Sequence, residues 1–426
     1  MKKSVILLGL ILSGGFLTHS RAADVPLTWD ACAKEALAHN PDLQKAADNL
    51  QSAKYGKKGA VSPFLPSLSA DASTNRSGNE GSVAGILKNG DSNPTYQMGL
   101  NASINLFNGF KDKASFDLAS IAEQQAGVQY QQARATLSNS LRNAFNNLLY
   151  SQQQVTLLQE IADREKENVR MVELNYQGGQ ENKGSLLNEQ ATSADADIQV
   201  TQAKRSLWLA QSQLDVVLGR SELDTPVVAG TFDTTTPDAA PDFKALCHST
   251  FSYLLAVLQL RTAQAQVVSA RGSFFPSLNA NGSMSRSGSD WVPNQPSWGA
   301  GLSLSFPLFE GGQRVFSFES AKASRDAAKV ALTSAELNAA LSLENAYWAF
   351  RDATEATLVQ NKYLEAAKLQ EEVANAQYAN GLLTYQDWNL VENSLITRQK
   401  SNLQTLLAAK TAEASWIQTL GKDELP

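Results

Sequence analysis

The chain has 426 residues, with 36 Lys and Arg against 42 Asp and Glu, a net charge of −6, and only two cysteines and three histidines. That acidic balance excludes nucleic acid as a partner and excludes a polybasic membrane patch. His39, His248, Cys32 and Cys247 make up no recognised metal-ligand motif, so neither a metal nor a cofactor is expected.

Residues 1–22 read as a signal peptide. Lys2 and Lys3 give a positive start, Val5–Leu12 form a short apolar run, and Ser20-Arg21-Ala22 places small residues where a signal peptidase reads, with cleavage after Ala22. The run is too short for a membrane anchor. Loss of the leader takes Lys2, Lys3 and Arg21 with it and leaves a net charge of −9. Nothing further along approaches about 18 uninterrupted apolar residues, so no transmembrane helix is expected.

The rest is one unit written twice. Phe64-Leu65-Pro66-Ser67-Leu68 returns as Phe274-Phe275-Pro276-Ser277-Leu278, and Leu106-Phe107-Asn108-Gly109 returns as Leu308-Phe309-Glu310-Gly311. Tyr176 and Gly179 match Tyr378 and Gly381, and Leu218-Gly219 matches Leu420-Gly421. The two halves differ in length only between Gly78 and Gly99, which reads as an exposed loop.

Residues 23–219 form the first unit. A helix is expected over 28–62 with an early break at Asn40-Pro41, because Pro disfavours helix at the residue before it. Strands follow at about 66–77 and 95–107. Residues 111–175 hold no Pro, and Gly127 is their only Gly, which predicts a single helix of roughly 98 Å. A turn at Gln177–Ser185 leads to a last helix over 186–218, ended by Gly219. Residues 220–242, rich in Pro, Thr and Asp, read as an irregular equatorial linker along the side of a rod. The second unit spans 243–421, with strands at about 276–287 and 297–307, and 422–426 is a tail. Two shorter helices of roughly 50 Å placed end to end match one long helix, which makes a rod the natural packing. Cys32 and Cys247 each open the first helix of a unit and read as half-buried free thiols; a disulfide is the alternative in an oxidising compartment.

The strands alternate with period 2. Tyr96, Met98, Leu100, Ala102, Ile104 and Leu106 alternate with Gln97, Gly99, Asn101, Ser103 and Asn105; Trp298, Ala300, Leu302 and Leu304 alternate with Gly299, Gly301 and Ser303. About ten residues of such alternation with aromatics at the strand starts is an outer-membrane barrel pattern. A soluble sheet with one wet face alternates too, but the polar face here is small and almost uncharged, as a water-filled lumen allows. Four strands cannot close a barrel, and open edges are not tolerated in lipid. Two chains would give eight strands and a barrel filled by its own side chains. Three give twelve strands and leave a passage, so a homotrimer is expected, with twelve helical columns below the barrel.

With its duplicated unit, the Pro66-Ser67-Leu68 and Pro276-Ser277-Leu278 strand starts, Phe309-Glu310-Gly311-Gly312 and the paired Tyr-x-x-Gly turns, the chain resembles the TolC family of outer-membrane efflux and secretion channels over nearly all of residues 28–421. The resemblance implies a mixed, mainly α fold: a trimeric α-helical barrel in the periplasm continuous with a 12-stranded transmembrane β-barrel in outer-membrane lipid. It implies docking to a periplasmic adaptor (membrane fusion) protein and an inner-membrane RND or ABC transporter, so that the chain is a passive exit duct of a tripartite efflux pump or type I secretion system. It also implies a periplasmic tip held nearly shut around a tyrosine and narrowed by aspartate rings. Tyr378, three residues before Gly381, matches that tyrosine, with Tyr176 and Gly179 as its first-unit counterparts. Asp387 matches one ring aspartate, the second ring position is Leu390, the family's basic partner is Leu383, and Ser185 stands at the Asp387 position of the first unit. The tip therefore carries fewer charges than the family pattern.

Read from the residues alone, three symmetry-related Asp387 carboxylates at a narrow mouth would set selectivity. The plainer reading is a solvated acid in the first turn of a helix. Trp388 reads as a packing or adaptor-facing residue. The alternative function is a soluble periplasmic coiled-coil adaptor or scaffold, which accounts for the helices but not the strands. An enzyme is not expected: no catalytic constellation and no Gly-x-x-x-x-Gly-Lys loop is present in the sequence.

Overall fold

The computed structural model describes residues 26–76, 80–83, 86–89, 94–221, 224–232, 235–423 and 425–426. The signal peptide expected at 1–22 lies outside them. In chain order the elements are α1 (Trp29–His39), α2 (Pro41–Gly59), β1 (Ser67–Arg76), β2 (Glu80–Val83), β3 (Ile86–Asn89), β4 (Pro94–Phe107), α3 (Lys111–Gln177) and α4 (Lys183–Leu218). The second half repeats them as α5 (Phe243–Leu246), α6 (Phe251–Gly272), β5 (Ser277–Gly288), β6 (Gln295–Ser305), α7 (Gln313–Ala379) and α8 (Tyr385–Thr419).

The first helix does break at Asn40. Its side chain accepts from the amides of Asp42 and Leu43, capping α2, and Pro41 takes the first helical position, where its missing N–H costs nothing. α4 starts three residues earlier than its sequence pattern indicates, because Asn182 caps it by accepting from the Ser185 amide. The segment between Gly78 and Gly99, expected to be a loop, carries the short β2–β3 hairpin in a two-stranded sheet of its own. Cys32 and Cys247 are both free, and both are fully buried rather than half-buried.

α3 and α7 are 67 residues each, roughly 100 Å. Each pairs with its own shorter helix, α3 with α4 and α7 with α8, and α3 also packs on α6 and α8, which locks the two units side by side. α4 stops where α1 gives way to α2. Gly219 takes a left-handed φ of 81°, and a Cβ there would sit 2.3 Å from the His39 carbonyl oxygen. Arg220 follows, holding Glu35 at 2.6 and 2.9 Å and the fully buried Asp215 at 3.0 Å.

The widest part of the core lies beside this junction: Cys32 and Ala36 of α1, Leu141 and Leu148 of α3, and Leu214 and Leu218 of α4. The 220–242 segment reaches α3, α4 and α7 at this height. Gln152 of α3 binds both backbone groups of Val228, Gln211 of α4 donates to the Pro226 carbonyl, and Tyr347 of α7 donates to the Asp238 carbonyl. The tail returns to the first unit, where Arg134 of α3 pairs with Asp423 at 2.8 Å.

At the other end of the rod, four strands form one antiparallel sheet in the order β1-β4-β5-β6. The β4–β5 pairing joins the units. The register settles the faces: Ala70 stands opposite Leu100, Leu100 opposite Met284 and Met284 opposite Trp298. Residues directly opposite share a face, so within the four strands the even-numbered residues lie on one side and the odd-numbered on the other, up to the β-bulge after Asn105, where Phe107 comes to stand opposite Leu278. The first side is apolar through most of its height, and the second carries Ser, Asn, Gly and Gln. Among the described residues neither side is covered: β1 and β6 are exposed along their whole length, with Leu68 75% and Leu302 71% accessible. Among the described residues no helix is long and apolar enough to cross a membrane.

Candidate functional site

The far end of the rod is built from two turns, α3–α4 and α7–α8. Each long helix ends in the same stop. Gly179 and Gly381 have φ of 73° and 71°, their amides bond back to Tyr176 and Tyr378, and the next amides reach Asn175 and Gln377. This is a Schellman motif, and it explains why Tyr-x-x-Gly recurs at the end of both long helices: the glycine is the one residue that takes the left-handed position freely.

The two tyrosines then part company. Tyr378 is buried, 3% exposed, and its hydroxyl donates to Glu181 of the other turn at 3.3 Å. Burial, with the Glu181 and Glu189 carboxylates close by, pushes that hydroxyl up to about 12, so it stays a donor at any physiological pH. Its ring stacks on Trp388, which is fully buried and donates through Nε1 to the Asn375 side chain. Trp388 is therefore the core of the tip and does not face an adaptor. Tyr176 remains on the surface at 39% exposure. Asp387 is exposed in the first turn of α8; its amide donates to the Thr384 hydroxyl oxygen at 3.2 Å, and that hydroxyl donates to the Asp387 carboxylate at 2.7 Å. Leu390 is exposed on the same helix. A cavity of about 650 Å³ between the turns is lined by Asn175, Glu181, Ser185, Tyr378, Gly381 and Tyr385.

A second set of residues, not singled out in the sequence, extends the seam inward. The Tyr385 hydroxyl donates to Glu189 of α4 at 2.9 Å and accepts from Asn188 at 2.9 Å. Glu165 of α3, Glu189 and Glu392 of α8 are all buried. Burial, then the neighbouring Glu165, raises Glu189 to about 8. Burial raises Glu392 to about 7 against the pull of Arg164, which stands 3.3 Å away, and Glu371 of α7 pushes it the same way as burial. Burial thus favours the protonated forms of Glu189 and Glu392, and Arg164 faces Glu392, at a seam where close carboxylates would otherwise repel. The signal was present in the sequence. Glu189 interrupts the inward stripe Ser185, Ser193, Ala196 and Val200, and Glu392 interrupts Tyr385, Trp388 and Leu395. A carboxylate in a seam of small and apolar residues is buried by its neighbours.

Known proteins share this architecture. A family model described as outer membrane efflux protein matches residues 32–220 and 253–422. The cation efflux system protein CusC of Escherichia coli O157:H7 is 26% identical over 415 residues, covering 91% of this chain and 84% of that protein. Among solved structures, CusC superposes with a TM-score of 0.81 at 20% identity, covering 92% of this chain and 91% of that chain. The open state of the MtrE outer membrane channel of Neisseria gonorrhoeae does so with 0.81 at 21% identity, covering 92% and 88%. Both superpositions cover 92% of this chain.

Proposed function

The chain belongs to the outer membrane efflux protein family, and from that premise we propose that three copies join into one duct, sheet to sheet and rod to rod, that carries cargo passively out through the outer membrane. One observation supports this above the others. Among the described residues the four-stranded sheet has an apolar face, a polar face and no cover on either, and its edge strands β1 and β6 have no partner within the sheet beyond β4 and β5. Lipid on the apolar side, water on the polar side and a second copy at each edge satisfy all three demands. The soluble adaptor reading leaves that face in water, and the family is one of efflux channels, not of enzymes.

In this duct the two turns form the periplasmic mouth. Tyr378 and Gly381 shape the inner turn and hold it to its neighbour, Tyr176 and Gly179 shape the outer one, and Asp387 contributes a ring of three carboxylates to the constriction. A periplasmic adaptor docks on the helical rod, and an inner-membrane RND or ABC transporter supplies the energy. The test is to recover the protein from the outer-membrane fraction, measure its mass in detergent and reconstitute it in planar bilayers. A trimer with discrete conductance is expected. A water-soluble monomer without channel activity would end the reading.

A further inference from the structure

The sequence offers no metal-ligand motif, yet the fold gathers three donors of different kinds. Cys247 and His248 are consecutive in the short 3-10 turn Cys247–Ser249, between α5 and α6, and Glu336 comes from the first half of α7. One ligand atom from each, thiol, imidazole and carboxylate, lies within 4.8 Å of the other two. His248 Nε2 is already 3.4 Å from Glu336 Oε1. We propose that Cys247, His248 and Glu336 form a binding site for a zinc-class divalent cation, which clips the turn leading into the second unit onto long helix α7.

Each donor is placed by something other than the metal. Cys247 is fully buried in a cluster with Ala339 and Leu343 of α7, one turn and two turns beyond Glu336, so the turn cannot drift from the helix. The His248 ring rests against Tyr253, with centroids 4.7 Å apart, which leaves Nε2 facing the carboxylate. His248 is half exposed, giving the ion a route in and a fourth position for water. A thiolate donor disfavours Mg²⁺ and Ca²⁺, and a sulfur, nitrogen and oxygen set with one open position suits tetrahedral Zn²⁺.

Bound to metal, Cys247 must be a thiolate. Its thiol now donates to the Lys244 carbonyl at 3.2 Å, and that proton leaves to solvent, one per ion bound.

The test uses the full-length protein in detergent, stripped with chelator and titrated with Co²⁺ and then Zn²⁺. The expected result is one Co²⁺ per chain with a thiolate-to-cobalt charge-transfer band, displaced by Zn²⁺, and a Zn²⁺-dependent rise in the thermal midpoint. Cys247→Ser abolishes the band, whereas Cys32→Ser, at the other buried thiol, leaves it intact. His248→Ala alters a half-exposed side chain and so spares the fold. It and Glu336→Gln each weaken binding by more than ~100-fold, beyond the loss typical of an outer-shell partner. No thiolate band in the unaltered protein, a band that survives Cys247→Ser, or unchanged affinity in both His248→Ala and Glu336→Gln overturns the proposal.

Discussion

Tyr378 lies face to face with Trp388, ring centroids 4.6 Å apart and planes 11° from parallel, while its hydroxyl crosses to Glu181 of the other turn. The stack is internal to the α7–α8 hairpin and the hydroxyl bond runs between hairpins, so the two contacts can be cut separately. Tyr378→Phe keeps the stack and loses only the bond, about 0.5–1.5 kcal/mol. It is expected to raise conductance in planar bilayers with little change in thermal stability. Trp388→Ala empties a fully buried site at about 3–5 kcal/mol, and should lower the unfolding midpoint as well as open the mouth. Equal conductance in Tyr378→Phe and the parent protein would show that other contacts hold the tip.

Asp387 tests the constriction. Thr384 still accepts the residue-387 amide after Asp387→Ala, so α8 keeps its cap and the stability cost stays within about 1 kcal/mol. The reversal potential in a salt gradient should shift toward reduced cation preference. An unmoved reversal potential would place the carboxylate away from the ion path.

The buried carboxylates give a pH dependence with a definite sign. Glu189 and Glu392 both have folded-state pKa values above the 4.5 of an ordinary glutamate, so the folded chain binds their protons more tightly than the unfolded chain does. Stability is then greatest in acid, declines as pH rises from about 4.5 through about 8, and is level beyond. Thermal midpoints across that window should fall for the parent protein and flatten for Glu189→Gln with Glu392→Gln. A midpoint that climbs with pH in the parent, restored to flatness by neither change, would reject the assignment.

Much of the fold is legible in the amino-acid order. The alternation of Met98, Leu100 and Ala102 with Gln97, Gly99 and Asn101 sorts the faces of the sheet, because a strand has only two sides. The rod follows from Pro-free runs of matched length. Meetings between the units are not legible. Tyr385 and Glu189 are 196 residues apart, and nothing local to either says which side of α8 faces α4. Nor does the repeat predict Phe110. It occupies the position of Gly312 and has a left-handed φ of 67°, a rare conformation for an aromatic residue. Its ring meets those of Phe107 and Phe275 edge-on, at 5.4 and 6.1 Å, and is otherwise exposed.

The sheet faces are tested by a neighbouring pair. Leu302 lies on the apolar side of β6 and Ser303 on the polar side. Leu302→Arg costs about 2–4 kcal/mol at mid-membrane and should deplete the protein from the outer-membrane fraction. Ser303→Arg should insert normally and alter conductance. The opposite pattern would invert the barrel.

Arg220 tests the junction of α4 with α1. Its removal leaves Asp215 buried beside only the Asp224 amide, so Arg220→Met should lose about 3 kcal/mol, read as a lower midpoint in chemical unfolding. Loss of under ~0.5 kcal/mol would mean the pair behaves as a surface contact.

The bare margins of β1 and β6 carry a genetic consequence. If every copy must offer both margins to seal the ring, one damaged copy spoils the two intact ones beside it. An allele with a ruined β1 margin, expressed equally with the normal gene, would leave only about one complete ring in eight, because three independent draws must all succeed. Such lesions should behave as dominant, whereas lesions that keep a copy out of the ring altogether should be recessive.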